Sequence, residues 1–225
     1  MEWLALARFV NWPPTLVELL KAGHGPTICP QWTQIGHCID DRAKRGEKTW
    51  TGAYMVRAES NAAKRWAAWG KGRYIAEIVV GRELATFREA LCEAMTGQSR
   101  QQTAKQLCRC YGWGAFMAGQ AVDDWSWTPL LAQATDLYTW APQGPGSQRG
   151  LNRLTGRPLT AKFKDEEWCQ QLVELRTATL AKLGREFSDI TLMDIQNCLC
   201  EFDKYERVRL GEGRPRSHYQ PEMAY

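Results

Sequence analysis

The chain has 225 residues, 44% of them hydrophobic, and a formal net charge of +4. That length suits one fairly large domain with a core of its own, and the mild basicity permits a nucleic-acid partner without requiring one. No apolar run is long enough to span a bilayer and no charged-then-apolar leader opens the chain, so no membrane partner and a cytoplasmic location are expected.

In chain order, Trp3–Val10 is apolar and reads as a helix. Asn11-Trp12-Pro13-Pro14 interrupts it and restarts a second helix, with proline in its first turn, that runs through Thr15 to Lys21. An amphipathic helix follows Pro30 and ends near Arg45-Gly46. His24 and His37, in this region, read as ordinary surface or core histidines. Thr49–Tyr54 has no helical period and reads as a loop or short extended piece. Glu59–Trp69 returns to a helical pattern. Tyr74–Val80 holds the chain's one β-branched cluster, but a lone strand would have nothing to pair with, so helix or extended linker is expected.

Glu83–Met95 places Leu84, Phe87, Leu91 and Met95 on one face of an amphipathic helix, with Gly97 after it. Ser99 caps the next, Ser99–Cys110. Ala115–Asp124 packs small residues around Gln120, and Gln120 and Asp124, four apart, share a face as one wall of a candidate pocket. Asp165–Leu183 is a long helix with acidic residues at its start, and Thr191–Arg209 is the last. The segment 211–225 reads as an irregular tail after one helical domain, 1–210. Eight cysteines in a reducing compartment are expected as thiols in the core. Their two C-x-C pairs, Cys108/Cys110 and Cys198/Cys200, point to different faces of a helix and suit chelation poorly, so no metal site is expected.

The stretch Trp140–Arg157 carries the strongest local signal. Gly144-Pro145-Gly146-Ser147 reads as a tight turn with Ser147 as N-cap of a short helix, Arg149–Leu154. A glycine turn feeding a helix N-terminus presents amides to a phosphate or pyrophosphate, and Arg149, Arg153 and Arg157 follow at spacings of four. An ordinary capped loop with solvated arginines is the equally weighted alternative. The string is not G-x-x-x-x-G-K-[ST], which occurs nowhere in the chain. Its form is that of a helix-hairpin-helix element.

Taken in order, Ala7–Pro13, Trp50–Tyr54, Gly114–Asp124, Gly144–Arg153 and Leu199–Tyr205 resemble a bacteriophage family related to the helix-hairpin-helix DNA glycosylases, the alpha-glutamyl/putrescinyl thymine pyrophosphorylases, in part called amino acid:DNA transferases. The resemblance spans nearly the whole chain and implies an all-α, glycosylase-like helical domain. It implies a step in thymidine hypermodification: double-stranded DNA carrying pyrophosphorylated 5-hydroxymethyluracil is the substrate, and an amine from an amino acid or polyamine displaces the pyrophosphate. A separate kinase would install the pyrophosphate, and the missing phosphate-binding string fits the transferase better.

That chemistry needs amide donors and cations at the leaving group, for which Gly144, Gly146, Ser147, Arg149, Asn152 and Arg153 are candidates, although the same turn would equally hold the DNA backbone. It needs a carboxylate to take the amine's proton, for which Asp124, Glu201 and Asp203 are candidates, and a cation such as Lys204 or Arg8 for a donor carboxylate. Asn11, Thr51, Tyr54 and Gln120 are expected to bind substrate, and Trp50, Tyr54 or Trp113 to hold an extruded base. No organic cofactor is expected, and the pyrophosphate leaves room for a divalent cation such as Mg2+. All these positions are expected to line one pocket. A glycosylase would carry a catalytic Asp about twenty residues past the hairpin, where this chain has the charged helix start Lys162–Glu167. A non-catalytic DNA-binding or partner-binding module, the third alternative, would scatter Gln120, Asp124 and Glu201 over the surface.

Overall fold

The computed structural model describes residues 1–26, 29–51, 64, 66 and 68–213, and among these all regular structure is helical. Helix α1, Glu2–Val10, ends at Asn11, whose backbone adopts the left-handed conformation at φ 44°. Asparagine tolerates that conformation better than most residues. Trp12 then caps α2, Pro13–Lys21, whose two prolines occupy first-turn positions that need no amide. Helix α3 is Trp32–Lys44.

A continuous helical rod follows. It begins as α4, Lys71–Arg73, widens into a π-helical stretch, Tyr74–Arg82, and closes as α5, Glu83–Thr86. Its N-terminus is held by Asp40 of α3, whose carboxylate accepts the backbone N–H groups of Gly72 (2.6 Å) and Arg73 (3.1 Å). The β-branched cluster is helical because it is buried all round: Ile75, Val79 and Val80 are fully inaccessible. A segment with no exposed face shows no 3.6-residue period in its sequence. The single helix expected over Glu83–Met95 is instead two, because the chain breaks at Phe87 (φ −103°, ψ 13°) before α6, Arg88–Thr96.

Helix α7, Arg100–Leu107, is capped by Ser99, whose hydroxyl accepts the N–H of Gln102. Helix α8 is Ala115–Ser126. After a stretch of turns come α9, Pro145–Leu154, α10, Asp165–Leu183, a single 3-10 turn over Arg185–Phe187, and α11, Leu192–Arg209. The caps follow sequence logic: acidic residues open α10, and Thr191 and Asp194 form a reciprocal capping box at α11.

Two apolar clusters result. The larger joins α1, α3, the central rod, α7 and α8 through residues such as Leu6, Phe9, Ile39, Val79, Val122 and Trp125. The smaller joins α9, α10 and α11 through Leu151, Trp168, Leu172, Met193 and Leu199. Between them lies a buried polar junction. Arg100, without solvent exposure, donates from Nη2 to Asp123 of α8 at 2.8 Å. Asp136 accepts the backbone N–H groups of Arg100 and Gln101, both at 2.9 Å, and the Ser99 hydroxyl at 3.0 Å. Burial pulls the Arg100 pKa down and pushes that of Asp123 up, each opposed by the charge of its partner.

The α9–α11 crossing is set by glycine. A Cβ on Gly150 would collide with the carbonyl oxygen of Leu199, and one on Gly146 would sit 3.3 Å from the Cys200 sulfur.

Replacing Arg100 by Met leaves the partly buried Asp123 without its counter-ion, and a loss of about 2 kcal/mol is expected in urea unfolding. Arg100→Met combined with Asp123→Leu is expected to recover most of it. Gly150→Ala gains about 1 kcal/mol in helix propensity, but forces α9 off α11, so a net loss of about 2 kcal/mol is expected. Gly97→Ala, where a Cβ meets nothing closer than 3.5 Å, is expected to leave the midpoint unchanged or slightly raised.

Candidate functional site

The last turn of α1 and the second half of α8 meet at Arg8 and Asp124. Ala5, Leu6, Phe9 and Val10 turn the apolar face of α1 into the larger core. Arg8 leaves that face toward α8 and donates from Nε to Asp124 Oδ2 at 2.6 Å and from Nη2 to Oδ1. The two-pronged geometry fixes both side chains, yet the carboxylate side chain stays 31% exposed, so the pair is open to solvent. Gln120, one turn earlier on the Asp124 face, is buried. Asn11 donates from Nδ2 to the Thr51 hydroxyl at 3.3 Å. The segment leading to Thr51 is pinned where Thr15 donates from Oγ to the Thr49 carbonyl at 2.7 Å. Tyr54, expected in the same group, lies outside the described residues. So four of the expected positions meet in two direct contacts, Arg8–Asp124 and Asn11–Thr51, built on the same end of α1.

The structure adds two cations here that the sequence did not flag. The Lys48 ammonium lies 3.7 Å from the centre of the Trp12 ring, and that of Lys71 lies 4.2 Å from the centre of the Trp50 ring. The only signal in the sequence was composition: lysines beside tryptophans in a segment without helical period.

The glycine stretch corrects the sequence reading. Neither Gly144 nor Gly146 has a positive φ, and no turn forms at Gly144–Ser147. Helix α9 starts at Pro145, with Gly144 as its N-cap and Ser147 inside its first turn. The Ser147 hydroxyl accepts the Gly144 N–H at 3.2 Å and the Gln196 amide of α11 at 2.9 Å, and Ser147 is completely buried. The small residues serve close packing: α11 covers the first turn of α9, where the phosphate was expected. The hairpin between two helices is also missing, since a long run of turns separates α8 from α9. Spacing held the clue, because Gly146 and Gly150 are four apart and share the face on which α11 rests.

The arginines of α9 are engaged internally. Asp203 is inaccessible to solvent and receives Arg149 at 2.8 Å and Arg153 at 3.0 Å. Arg153 also pairs with Glu212, and Glu212 followed by Asp203 raises its pKa. Asp203 is therefore an anchor between α9 and α11, with its lone pairs directed at two guanidiniums rather than at a substrate. Glu201 and Lys204 pair with each other at 2.5 Å on the exposed face of α11. Asn152 is buried and donates to the carbonyls of Leu159 and Ala161, holding the loop after α9. The expected set thus falls into two contact groups, one at α1–α8 and one at α9–α11, rather than one.

Among the described residues, no three His, Cys, Asp or Glu side chains are placed to hold a metal ion. The eight cysteines are free thiols, but the core placement expected of them fails for Cys29, Cys92, Cys108 and Cys198, which are exposed, while Cys110 is buried. An open cleft of about 380 Å³ on α2 and α3, lined by Pro13, Pro14, Val17, Glu18, Lys21 and Arg42, contains none of the expected site residues. No described helix is long and apolar enough to cross a membrane.

No curated protein and no solved structure matches this chain. One family model does, that of the 5-hmdU DNA kinase, helical domain, over residues 4–214. That span includes both contact groups and every described helix except the first residues of α1. The all-helical architecture agrees with a family defined as a helical domain, and the family ties the chain to enzymes that modify 5-hydroxymethyldeoxyuridine in DNA. The chain belongs to the 5-hmdU DNA kinase helical-domain family.

Proposed function

We propose that this chain acts on bases derived from 5-hydroxymethyldeoxyuridine in double-stranded DNA, replacing pyrophosphate on the exocyclic carbon with an amine, and that Arg8 and Asp124 carry the step. The observation behind this reading is the solvent-open Arg8–Asp124 pair inside a chain matched to a 5-hmdU family. In the exchange the bond from the exocyclic carbon to the pyrophosphate oxygen breaks. A carbon–nitrogen bond forms, and the amine loses one proton.

In the resting protein, the guanidinium and the carboxylate neutralise each other. An incoming pyrophosphate carries more charge than one carboxylate and competes for Arg8 through the same two-pronged donors. Once Arg8 turns to the pyrophosphate, Asp124 becomes available to accept the proton of the attacking amine. Gln120, Asn11 and Thr51 supply hydrogen-bonding groups for the pyrimidine edge or the donor. A divalent cation such as Mg2+ would in this scheme arrive on the pyrophosphate oxygens, as that ion commonly does.

The family's name favours a second reading, in which the domain takes part in phosphorylating the 5-hydroxymethyl group itself. Nucleoside mass spectrometry separates the two. One arm offers pyrophosphorylated 5-hydroxymethyldeoxyuridine DNA with a mixture of amino acids and polyamines, and the other offers unmodified 5-hydroxymethyldeoxyuridine DNA with ATP. An aminated deoxyuridine in the first arm is the expected result. A phosphorylated nucleoside in the second arm alone would replace the transferase reading with the kinase one, and abasic sites would point to base excision.

Asp124→Asn is expected to lower turnover at least about a hundredfold, the usual scale for a lost general base. The pair is partly exposed, so unfolding should move by no more than about 1 kcal/mol. Turnover within a few-fold of wild type would remove Asp124 from the mechanism.

A further inference from the structure

A protein that works on a base in duplex DNA must hold the phosphates beside it. The arginines of α9 are poorly placed for this, because Arg149 and Arg153 already share Asp203, and Arg153 also binds Glu212. Most other arginines near the α1–α8 centre are also matched: Arg73 pairs with Glu77, and Arg82 with Glu83. Lys48 and Lys71 differ. No carboxylate among the described residues pairs with either; each instead lies over an indole ring.

A ring face satisfies an ammonium only partly. The contact is weak at an exposed site, and the group has three N–H donors to place. Burial lowers the Lys71 pKa, so an arriving anion gains by meeting an ammonium that no described carboxylate holds. Both lysines adjoin the base-engaging contacts. Lys48 and Trp50 flank Thr49, which is buried and bonded to Thr15, and Thr51 follows with its bond to Asn11. Trp12 is the next residue after Asn11 in the chain. Chain adjacency and these contacts therefore link the cations, the rings and the Asn11–Thr51 bond at the C-terminal end of α1, the helix that carries Arg8.

We propose that Lys48 on Trp12 and Lys71 on Trp50 form the phosphate clamp for the DNA strand that carries the target base, holding it beside Arg8 and Asp124. The indoles fix the two ammonium groups before DNA arrives and offer faces on which a neighbouring base stacks. This rests on the proposed action on DNA, and it assigns the phosphate contacts to these lysines in place of the α9 arginines.

The test is the salt dependence of binding to a fluorescein-labelled duplex containing 5-hydroxymethyldeoxyuridine, followed by anisotropy. Each phosphate contact contributes about 0.9 to the slope of log K against log salt. Lys48→Gln and Lys71→Gln are each expected to reduce the slope by about 1 and the double variant by about 2, so the affinity lost between 50 and 200 mM salt should shrink roughly tenfold. Lys48→Arg and Lys71→Arg should restore the wild-type slope, and Lys182→Gln on α10 should leave it unchanged. An unchanged slope in the double variant, with wild type binding normally and thermal melting unaltered, overturns the clamp alone. An equal fall in Lys182→Gln also overturns it, because binding would then be diffuse. Wild type that binds no duplex at all overturns the action on DNA and the clamp with it.

Discussion

The fold depends on one guanidinium withdrawn from water. Arg100 begins α7 and lies where the two apolar clusters adjoin, and it must be neutralised there because an isolated charge is costly in a medium that screens poorly. Asp123 supplies the counter-charge from α8. Asp136 ties the start of α7 to the turns after α8, and the carboxylate of Asp194 at the start of α11 adds to the field around Arg100. A backbone bond from the Leu192 N–H to the Leu137 carbonyl, 3.0 Å, closes the same junction. These contacts fix α8 relative to both clusters. With Asp123 held by Arg100, Asp124 comes about 100° further round the helix and meets Arg8.

Charge is divided between the two halves in a way that separates structure from recognition. In the α9–α11 half, one buried carboxylate collects two arginines, and glycines let the helices touch. Both α9 arginines are thereby spent on carboxylates of the protein itself. At the α1–α8 centre, the pair is open to solvent and two lysines rest on rings instead of carboxylates. Lysines that no described carboxylate pairs, aromatic faces and an ion pair open to solvent are features that would suit a polyanionic partner with an extrudable base.

Much of this was legible in the sequence. Proline at the start of α2 and serine before α7 each mark an end through a local hydrogen-bonding need, and the structure has them where expected, whereas Thr191, read as the first residue of the last helix, is its N-cap. The Gln120–Asp124 spacing put both residues on one face of α8, where Gln120 is buried and Asp124 meets Arg8. The Gly144–Ser147 stretch misled because glycine has two uses, positive φ and close approach, and only the second applies here. Asp203 read as a candidate base because sequence does not show burial. The π-helical rod was ambiguous because a segment buried on every face has no period. Lys48 and Lys71 were passed over because a cation's availability depends on whether a carboxylate from elsewhere in the chain reaches it.

The central claim is that the target base lands at the α1–α8 centre. Photo-cross-linking tests this most directly, using a duplex with 5-iododeoxyuridine at one position and identifying the attached peptide after digestion. The account predicts attachment in the peptides that contain Trp12 or Trp50. Attachment confined to peptides of α9 and α11 would contradict it and return the base to the glycine-rich crossing.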